Sequence, residues 1–297
     1  MRTPNTLLGA GLIGLGVGVA VCALLGPFVL DVIAYRTSDT SLHQVVGSDA
    51  ASLLLVAPVS VLLGVLVLAG HPGAPLLGLA PAVFAAYTYT QLILGNEYGD
   101  QPGNVERFFP LLLGVFVLAV AVAIGAWTAS SSDPLPETSP RADHVAGVLL
   151  LVIAGFVVVG LHLPTYLDAL SASSSNVGLT SSPTAFWLVK FMDLGLVAPA
   201  ATVVGVGMLR RRGWARRPMF ALVGGYALLG ASVAAMAITM YATDDPDASL
   251  AMVAATCVAA TLMVALAGYL YRPLLGTVTS VSHTMQDGSN QLAGRPS

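Results

Sequence analysis

Long apolar stretches alternate with short polar ones along the whole chain. Eight of these stretches have about 20 residues or more with few charges, the length that an α-helix needs to cross a bilayer core of about 30 Å. They cover residues 6–35, 50–70, 74–95, 108–129, 145–167, 183–209, 219–242 and 250–271. The pattern therefore predicts an all-α fold, a polytopic membrane bundle of about eight transmembrane helices.

Two boundaries in this pattern have their own signals. The second and third stretches are separated only by His71, Pro72 and Gly73, and because proline and glycine stop a helix we expect a tight hairpin there. The first stretch is much longer than the roughly 7–15 apolar residues of a signal peptide, so we expect it to be retained as a helix.

The composition excludes a soluble globular protein. Hydrophobic residues make up 56% of the 297 residues and charged residues 9%, with a mean hydropathy of +0.82, whereas soluble domains carry about 25% charged residues. The 31 glycines are typical of helices that pack closely in lipid. The sequence has no P-loop, H-E-x-x-H or G-x-S-x-G motif and no soluble domain large enough for ordinary catalysis, so an enzyme ranks last among the possible functions.

The basic residues predict the orientation of the helices. With the N-terminus inside, the outer loops hold two arginines, Arg36 and Arg107, and the inner loops and tails hold nine. These nine are Arg2, Arg141, Arg210, Arg211, Arg212, Arg216, Arg217, Arg272 and Arg295. Because short cytoplasmic loops are rich in lysine and arginine, both termini are expected in the cytoplasm.

The outer face is then negative, which favours cations or cationic ligands within the screening distance of about 8–10 Å. Its nine acidic residues are Asp39, Asp49, Glu97, Asp100, Glu106, Asp168, Asp244, Asp245 and Asp247.

Two halves of the chain share short motifs. The first and fifth stretches both carry Pro-x-x-Leu-Asp, ending at Asp31 and Asp168, and the second and sixth both carry Leu-Val-Ala-Pro followed by glycine six residues after the proline. This suggests two parallel four-helix repeats, at 1–129 and 144–273, joined by a cytoplasmic linker at 130–143 and followed by a mobile tail at 274–297. Chance similarity between apolar helices remains the alternative.

Several motifs give the chain a resemblance to a known family. The first set is Tyr87-x-Tyr89, Gly95, Asn104 and Phe108-Phe109-Pro110-Leu111, and the second is Asp193-Leu194-Gly195, Pro199 and Arg210-Arg211-Arg212. With these residues the chain resembles a family of uncharacterised bacterial polytopic integral membrane proteins. The resemblance covers about half of the chain and implies a multi-pass protein of the bacterial cytoplasmic (inner) membrane, without an assigned activity or cofactor.

Lys190 and Asp193 are the deepest charged residues in the predicted spans. A spacing of three places both on one face of a helix, and charged residues inside a membrane indicate a functional site with a partner. The pair could bind a ligand or an ion, or it could be a structural ion pair between helices.

Other polar residues fall in the same outer half of the predicted bundle. Tyr87 and Gln91 share a helical face, and we expect an outward-opening pocket that combines the ten candidates Lys190, Asp193, Tyr87, Gln91, Glu97, Asp31, Asp168, His162, Asn104 and Glu106. The alternative for Tyr87 and Gln91 is a place in the polar and aromatic belt at the membrane surface.

The sequence predicts no metal site, because its histidines are scattered and neither cysteine, Cys22 or Cys257, has a second ligand nearby. The basic loop 210–217 contains Trp214 and is expected to contact anionic lipid rather than nucleic acid. Two functions remain: a small-ligand or ion binding or transport protein with an outward-facing polar pocket, or a structural or accessory subunit of a membrane complex.

Overall fold

The computed structural model describes residues 3–131, 135, 138–171 and 177–275. Within these residues the chain is helical and has no strand. The prediction of eight helices long and apolar enough to cross a membrane is confirmed, so the chain is an integral multi-pass membrane protein. The helices, named α1 to α8 here, are Asn5–Leu25, Asp39–Leu68, Ala74–Leu94, Val105–Ser131, Pro140–Ala169, Pro183–Leu209, Gly213–Ala242 and Leu250–Leu275.

The boundary between α1 and α2 differs most from the prediction. The first helix ends at Leu25 rather than at residue 35, because Gly26 and Pro27 interrupt it and Asp31 takes a left-handed conformation with φ of 49°. The next helix begins at Asp39 instead of residue 50, since the Ser38 side chain caps it by accepting a hydrogen bond from the backbone N–H of Ser41. The polar residues 39–49, expected in an outer loop, therefore form the first three turns of α2.

Other boundaries lie closer to the prediction. The expected hairpin between α2 and α3 is present, with Gly70 at a φ of 81°. Helix α5 begins at Pro140, before the predicted residue 145, because Ser139 caps it. Parts of the predicted linker and tail lie outside the described residues, namely 132–134, 136–137 and 276–297. The predicted inner residues Arg2 and Arg295 lie outside them as well.

Three of the helices widen into a π-helix directly before a proline. The segments are Ser52–Val56 in α2, Phe156–His162 in α5 and Asp193–Val197 in α6. In each, the residue before the proline donates its N–H to the carbonyl five residues earlier. A proline cannot donate an N–H, and its ring collides with the carbonyl of the preceding turn, so a wider turn accommodates it.

Glycines set the closest helix contacts. A Cβ atom added to Gly64 of α2 would lie 2.7 Å from the carbonyl oxygen of Gly9 in α1, and one added to Gly147 of α5 would lie 3.0 Å from that of Gly205 in α6. Both pairs of helices therefore pack backbone against backbone, which small residues permit in a membrane. Gly64 in α2 and Gly205 in α6 lie 141 positions apart, as do Pro58 and Pro199.

The loops divide the bundle into two ends. We call the end with loops 26–38, 95–104 and 243–249 the acidic end and the end with loop 210–212 and the start of α7 the basic end. At the basic end, Arg216 forms an ion pair with Asp143 at 3.2 Å, and Arg217 donates to the carbonyl of Ser130 at 2.8 Å. The start of α7 thus contacts the ends of both α4 and α5.

Candidate functional site

A cavity of about 110 Å³ opens at the acidic end, where α2, α3, α6 and α7 meet. Two of these helices come from each predicted half of the chain. The cavity is lined by hydroxyl, amide and apolar groups without a charged side chain: Tyr35, Thr37, Ser41, Gln44, Val45, Ser48, Thr88, Gln91, Leu92, Gly95, Asn96, Ala185, Leu188, Val189 and Met236. Such a lining can bind a solute through hydrogen bonds.

Serine and threonine hydroxyls hold the rim of the cavity together. The Ser182 hydroxyl, at the start of α6, donates to Ser38 Oγ at 2.8 Å, and the hydroxyls of Thr37 and Ser41 lie 3.3 Å from Ser182 Oγ. These bonds join the first half of the chain to the second. The rim is therefore a contact that a relative movement of the halves would break.

Two groups of the lining are available for a ligand. The hydroxyl of Thr88 and the amide of Gln44 make no hydrogen bond with any other residue that the structure describes. By contrast, the Thr90 hydroxyl, two residues further along α3, donates to the carbonyl of Ala86 at 2.8 Å. Thr88 on α3 and Gln44 on α2 line the same cavity, so both can contact the same small molecule.

A second polar cluster lies one helical turn deeper than the cavity. Asp193 in α6 accepts a hydrogen bond from the Tyr87 hydroxyl at 2.6 Å, and its other oxygen is hydrogen-bonded to His162 Nε2 at 2.8 Å. Both Asp193 and His162 are buried, at 8% and 4% exposure. The cluster joins α3, α5 and α6 just below Gln91, and two of its members lie in π-helical segments, which are frequent at functional sites.

Lys190 does not form the ion pair with Asp193 that the spacing predicted. None of the salt bridges among the described residues joins the two. The ammonium group instead donates to the Thr165 hydroxyl at 2.9 Å and lies 3.5 Å from the centre of the Phe186 ring. The long side chain extends toward the acidic end, whereas the short carboxylate of Asp193 reaches only its deeper neighbours.

Three predicted site residues bind other groups of the protein itself, two of them the backbone and one a side chain. Glu97 accepts from the backbone N–H and the hydroxyl of Thr184, at 2.7 and 2.6 Å, and so caps α6. Asn104 exchanges hydrogen bonds with Ala34, and Glu106 forms an ion pair with Arg36 at 2.7 Å. These residues close the acidic end rather than line the cavity.

The remaining candidates divide between the cavity and the edge of the bundle. Gln91 lines the cavity, as does Asn96, which the sequence also indicated as polar beyond the end of the helix. Asp31 is exposed and Asp168 is partly exposed, and neither lines the cavity.

Sequence reasoning missed the contribution of α2. Ser41, Gln44 and Ser48 line the cavity because the helix begins at Asp39. The signal was present as Ser38-Asp39, a capping serine followed by an acid in the first turn. No group of three or more His, Cys, Asp or Glu side chains in the described ranges could hold a metal ion.

No protein-family model, curated protein sequence or solved structure matches the chain.

Proposed function

We propose that the protein binds a small uncharged polar solute in the cavity at its acidic end, as a binding or transport-type membrane protein. The observation that supports this most directly is a charge-free cavity between the two predicted halves, whose wall carries hydroxyl and amide groups among apolar side chains, with those of Thr88 and Gln44 unpaired. A ligand could satisfy these groups, which water must otherwise satisfy.

The size and chemistry of the cavity define the ligand class. A volume of about 110 Å³ holds several water molecules or a solute of a few heavy atoms, since one water needs about 10–15 Å³ on this measure. A charged solute would need a counter-charge in the wall, whereas hydroxyls and amides suit an alcohol, a polyol or an amide. The acidic loops outside the cavity add a weaker preference for cations over anions.

The cavity is proposed to face the outside of a bacterial cytoplasmic membrane. The exposed Arg210, Arg211 and Arg212 at the opposite end support a cytoplasmic location for that end, with the charged groups and Trp214 in contact with anionic lipid. Two parallel repeats would place the cavity on the axis between them, where transporters built from repeats bind their substrates.

A second candidate is a structural or accessory subunit of a membrane complex. It is favoured by the internal roles of Glu97, Asn104 and Glu106, whose hydrogen bonds stabilise the fold without any ligand. Under this alternative the cavity contains only water.

A thermal-shift screen of the purified full-length protein in detergent tests the proposed function. Small polyols, alcohols and amides are added singly, and a solute that binds only the folded state raises the unfolding temperature by mass action. The shift should shrink in Thr88→Val and in Gln44→Leu, and it should persist in the matched control Thr90→Val, whose hydroxyl is already bonded to its own helix.

The rate of cysteine labelling in the cavity gives a second readout. Gln44→Cys should react with a water-soluble maleimide, and a bound solute should slow that reaction. If no solute shifts the unfolding temperature and none slows the labelling of Gln44→Cys, the accessory-subunit candidate replaces the binding protein.

A further inference from the structure

A carboxyl group that is buried beside the cavity has one oxygen atom without a hydrogen-bond partner. Asp49 of α2 is 4% exposed, and its Oδ2 atom has no hydrogen bond. In the described residues only two other buried side-chain polar atoms are unpaired, and one of them is the hydroxyl of Tyr35, which is 6% exposed. Two unpaired oxygen atoms at the acidic end thus belong to residues whose side chains interact electrostatically.

The surroundings of Asp49 supply no positive charge. The carboxyl group lies against the backbone of Gly26, where even a Cβ atom would overlap Oδ2. The titratable groups that interact with it are Cys22 from α1, Tyr35 from the loop and Tyr89 from α3, none of which can be a cation.

On the remaining side, α7 approaches α2 with Ala235 and Met236, and its Ser232 hydroxyl donates to Ser48 at 3.3 Å. No lysine, arginine or histidine of the described residues forms an ion pair with Asp49.

A bare carboxylate in this position is costly. Insertion of an aspartate near the middle of a membrane helix costs about 2.5–3.5 kcal/mol, and such residues mark ion pathways and proton relays when they persist. An unpaired buried charge is stable only if it is neutralised. Since none of the described residues supplies a counter-charge, we expect the neutralising charge to come from solution.

We propose that Asp49 and Tyr35 form a site for one exchangeable monovalent cation, either a proton or a sodium ion, that enters from the cavity. A proton would bind to Oδ2 and leave the carboxyl group neutral, so that it needs no counter-charge. A sodium ion would take the carboxylate and hydroxyl oxygens as ligands, with water completing its shell. Tyr35 also lines the cavity, so the ion and the cavity share a wall.

The cation site can be tested separately from the proposed solute binding, because the experiment contains no solute. The unfolding temperature of the full-length protein in detergent is measured while sodium chloride replaces choline chloride at constant ionic strength, and again from mildly acidic to mildly alkaline pH. Sodium binding predicts a rise of roughly 3 °C for each tenfold increase in sodium above the dissociation constant. Proton binding predicts a fall with rising pH that is equal in both salts.

Asp49→Asn should abolish whichever dependence is found, while Asp39→Asn, an exposed aspartate on the same helix, should keep it. Equal sodium and pH dependence in wild type and Asp49→Asn would overturn the proposal. If Asp49→Asn does not fold, Tyr35→Phe takes its place, because it removes one oxygen and should weaken binding of the cation. An unchanged titration in Tyr35→Phe would then refute the site.

Discussion

Asp193 obtains its partners from two other helices, and the partners differ from the residue that its spacing suggested. His162 and Tyr87 contact its two oxygens, so removal of either His162 or Asp193 leaves a polar group unpaired in a region of low dielectric constant. Breaking a fully buried pair costs about 3–5 kcal/mol. Lys190 instead contacts the hydroxyl of Thr165 and the ring of Phe186.

A double-mutant cycle measures how strongly Asp193 is coupled to His162 and how strongly to Lys190. We expect His162→Leu and Asp193→Leu each to lower the free energy of unfolding by about 3 kcal/mol and the double variant to cost much less than their sum. Lys190→Met and Asp193→Leu should couple more weakly, because the two charges interact without an ion-pair contact. Stronger coupling between Lys190 and Asp193 than between His162 and Asp193 would contradict the observed pairing.

Asp245 ties the loop after α7 to α2. Burial acts to raise its pKa, but hydrogen bonds from His43, the backbone N–H of Asp247 and Thr40 outweigh burial and lower the pKa below the ordinary 3.8. A lowered pKa in the folded state means that the unfolded state binds protons first on acidification. The stabilisation is therefore complete above pH 3.8 and is lost as the pH falls through the lowered pKa.

The variant Asp245→Asn should accordingly lose about 1–2 kcal/mol of stability at neutral pH, as expected for hydrogen bonds to a charged group. Its unfolding temperature and that of the wild type should converge in acid. Asp244→Asn is the matched control, because it is exposed and its left-handed φ of 54° suits asparagine. A gap between wild type and Asp245→Asn that persists in acid would exclude the carboxylate as its cause.

At the scale of helices, the sequence was sufficient for number and order but not for every boundary. Apolar length alone predicted all eight helices. The predicted start of α2 was wrong because a hydropathy pattern alone assigns the polar residues 39–49 to a loop. In the structure these residues are helical, since Ser38 caps the helix and the segment packs against α7. The π-helical segments had a signal in Pro58, Pro164 and Pro199, but a proline alone does not distinguish a kink, a break and a wider turn.

The candidate site was harder to predict than the helices. Polar residues in one half of the bundle could be recognised from their positions, and Gln91, Tyr87, His162 and Asp193 do lie near one another. Which oxygen meets which donor depends on side-chain length and on the crossing of three helices, which spacing within one helix cannot give.

The glycine contacts of the two helix pairs make a prediction at the same scale. Gly147→Val would force its Cβ and methyl groups against Leu209 and the carbonyl of Gly205, and overpacking of this kind costs about 1–3 kcal/mol. Gly155→Val, on the same helix, meets nothing within 4 Å and should cost much less. Measured unfolding free energies that are equal for the two variants would show that α5 and α6 do not pack through Gly147.

For the whole molecule, the arginines predict which end faces the cytoplasm. A reporter that is active only in the cytoplasm should be active when fused after Arg212 and inactive when fused after Asp247, because the two positions lie at opposite ends of α7. A periplasmic signal at Arg212 or a cytoplasmic signal at Asp247 would show the opposite orientation, with the cavity open toward the cytoplasm.

The two predicted halves meet at the rim of the cavity, and a transport cycle would require them to separate there. Ser38 and Ser182 lie on opposite halves with their hydroxyls 2.8 Å apart, a distance at which paired cysteines can form a disulfide with little movement. In a background with Cys22→Ala and Cys257→Ala, oxidation of Ser38→Cys with Ser182→Cys should raise the unfolding temperature, since a cross-link restricts the unfolded chain.

The same cross-link should slow maleimide labelling of a cysteine in the cavity if opening requires the halves to part, and reduction should restore the rate. Gln44→Cys in the same background serves as the labelled site, with Ser38→Ala and Ser182→Ala as the control that removes the hydrogen bond without locking the rim. Labelling that is equally fast before and after oxidation would mean that solutes enter without movement of the halves. The cavity would then be a permanently open binding site rather than one state of a transport cycle.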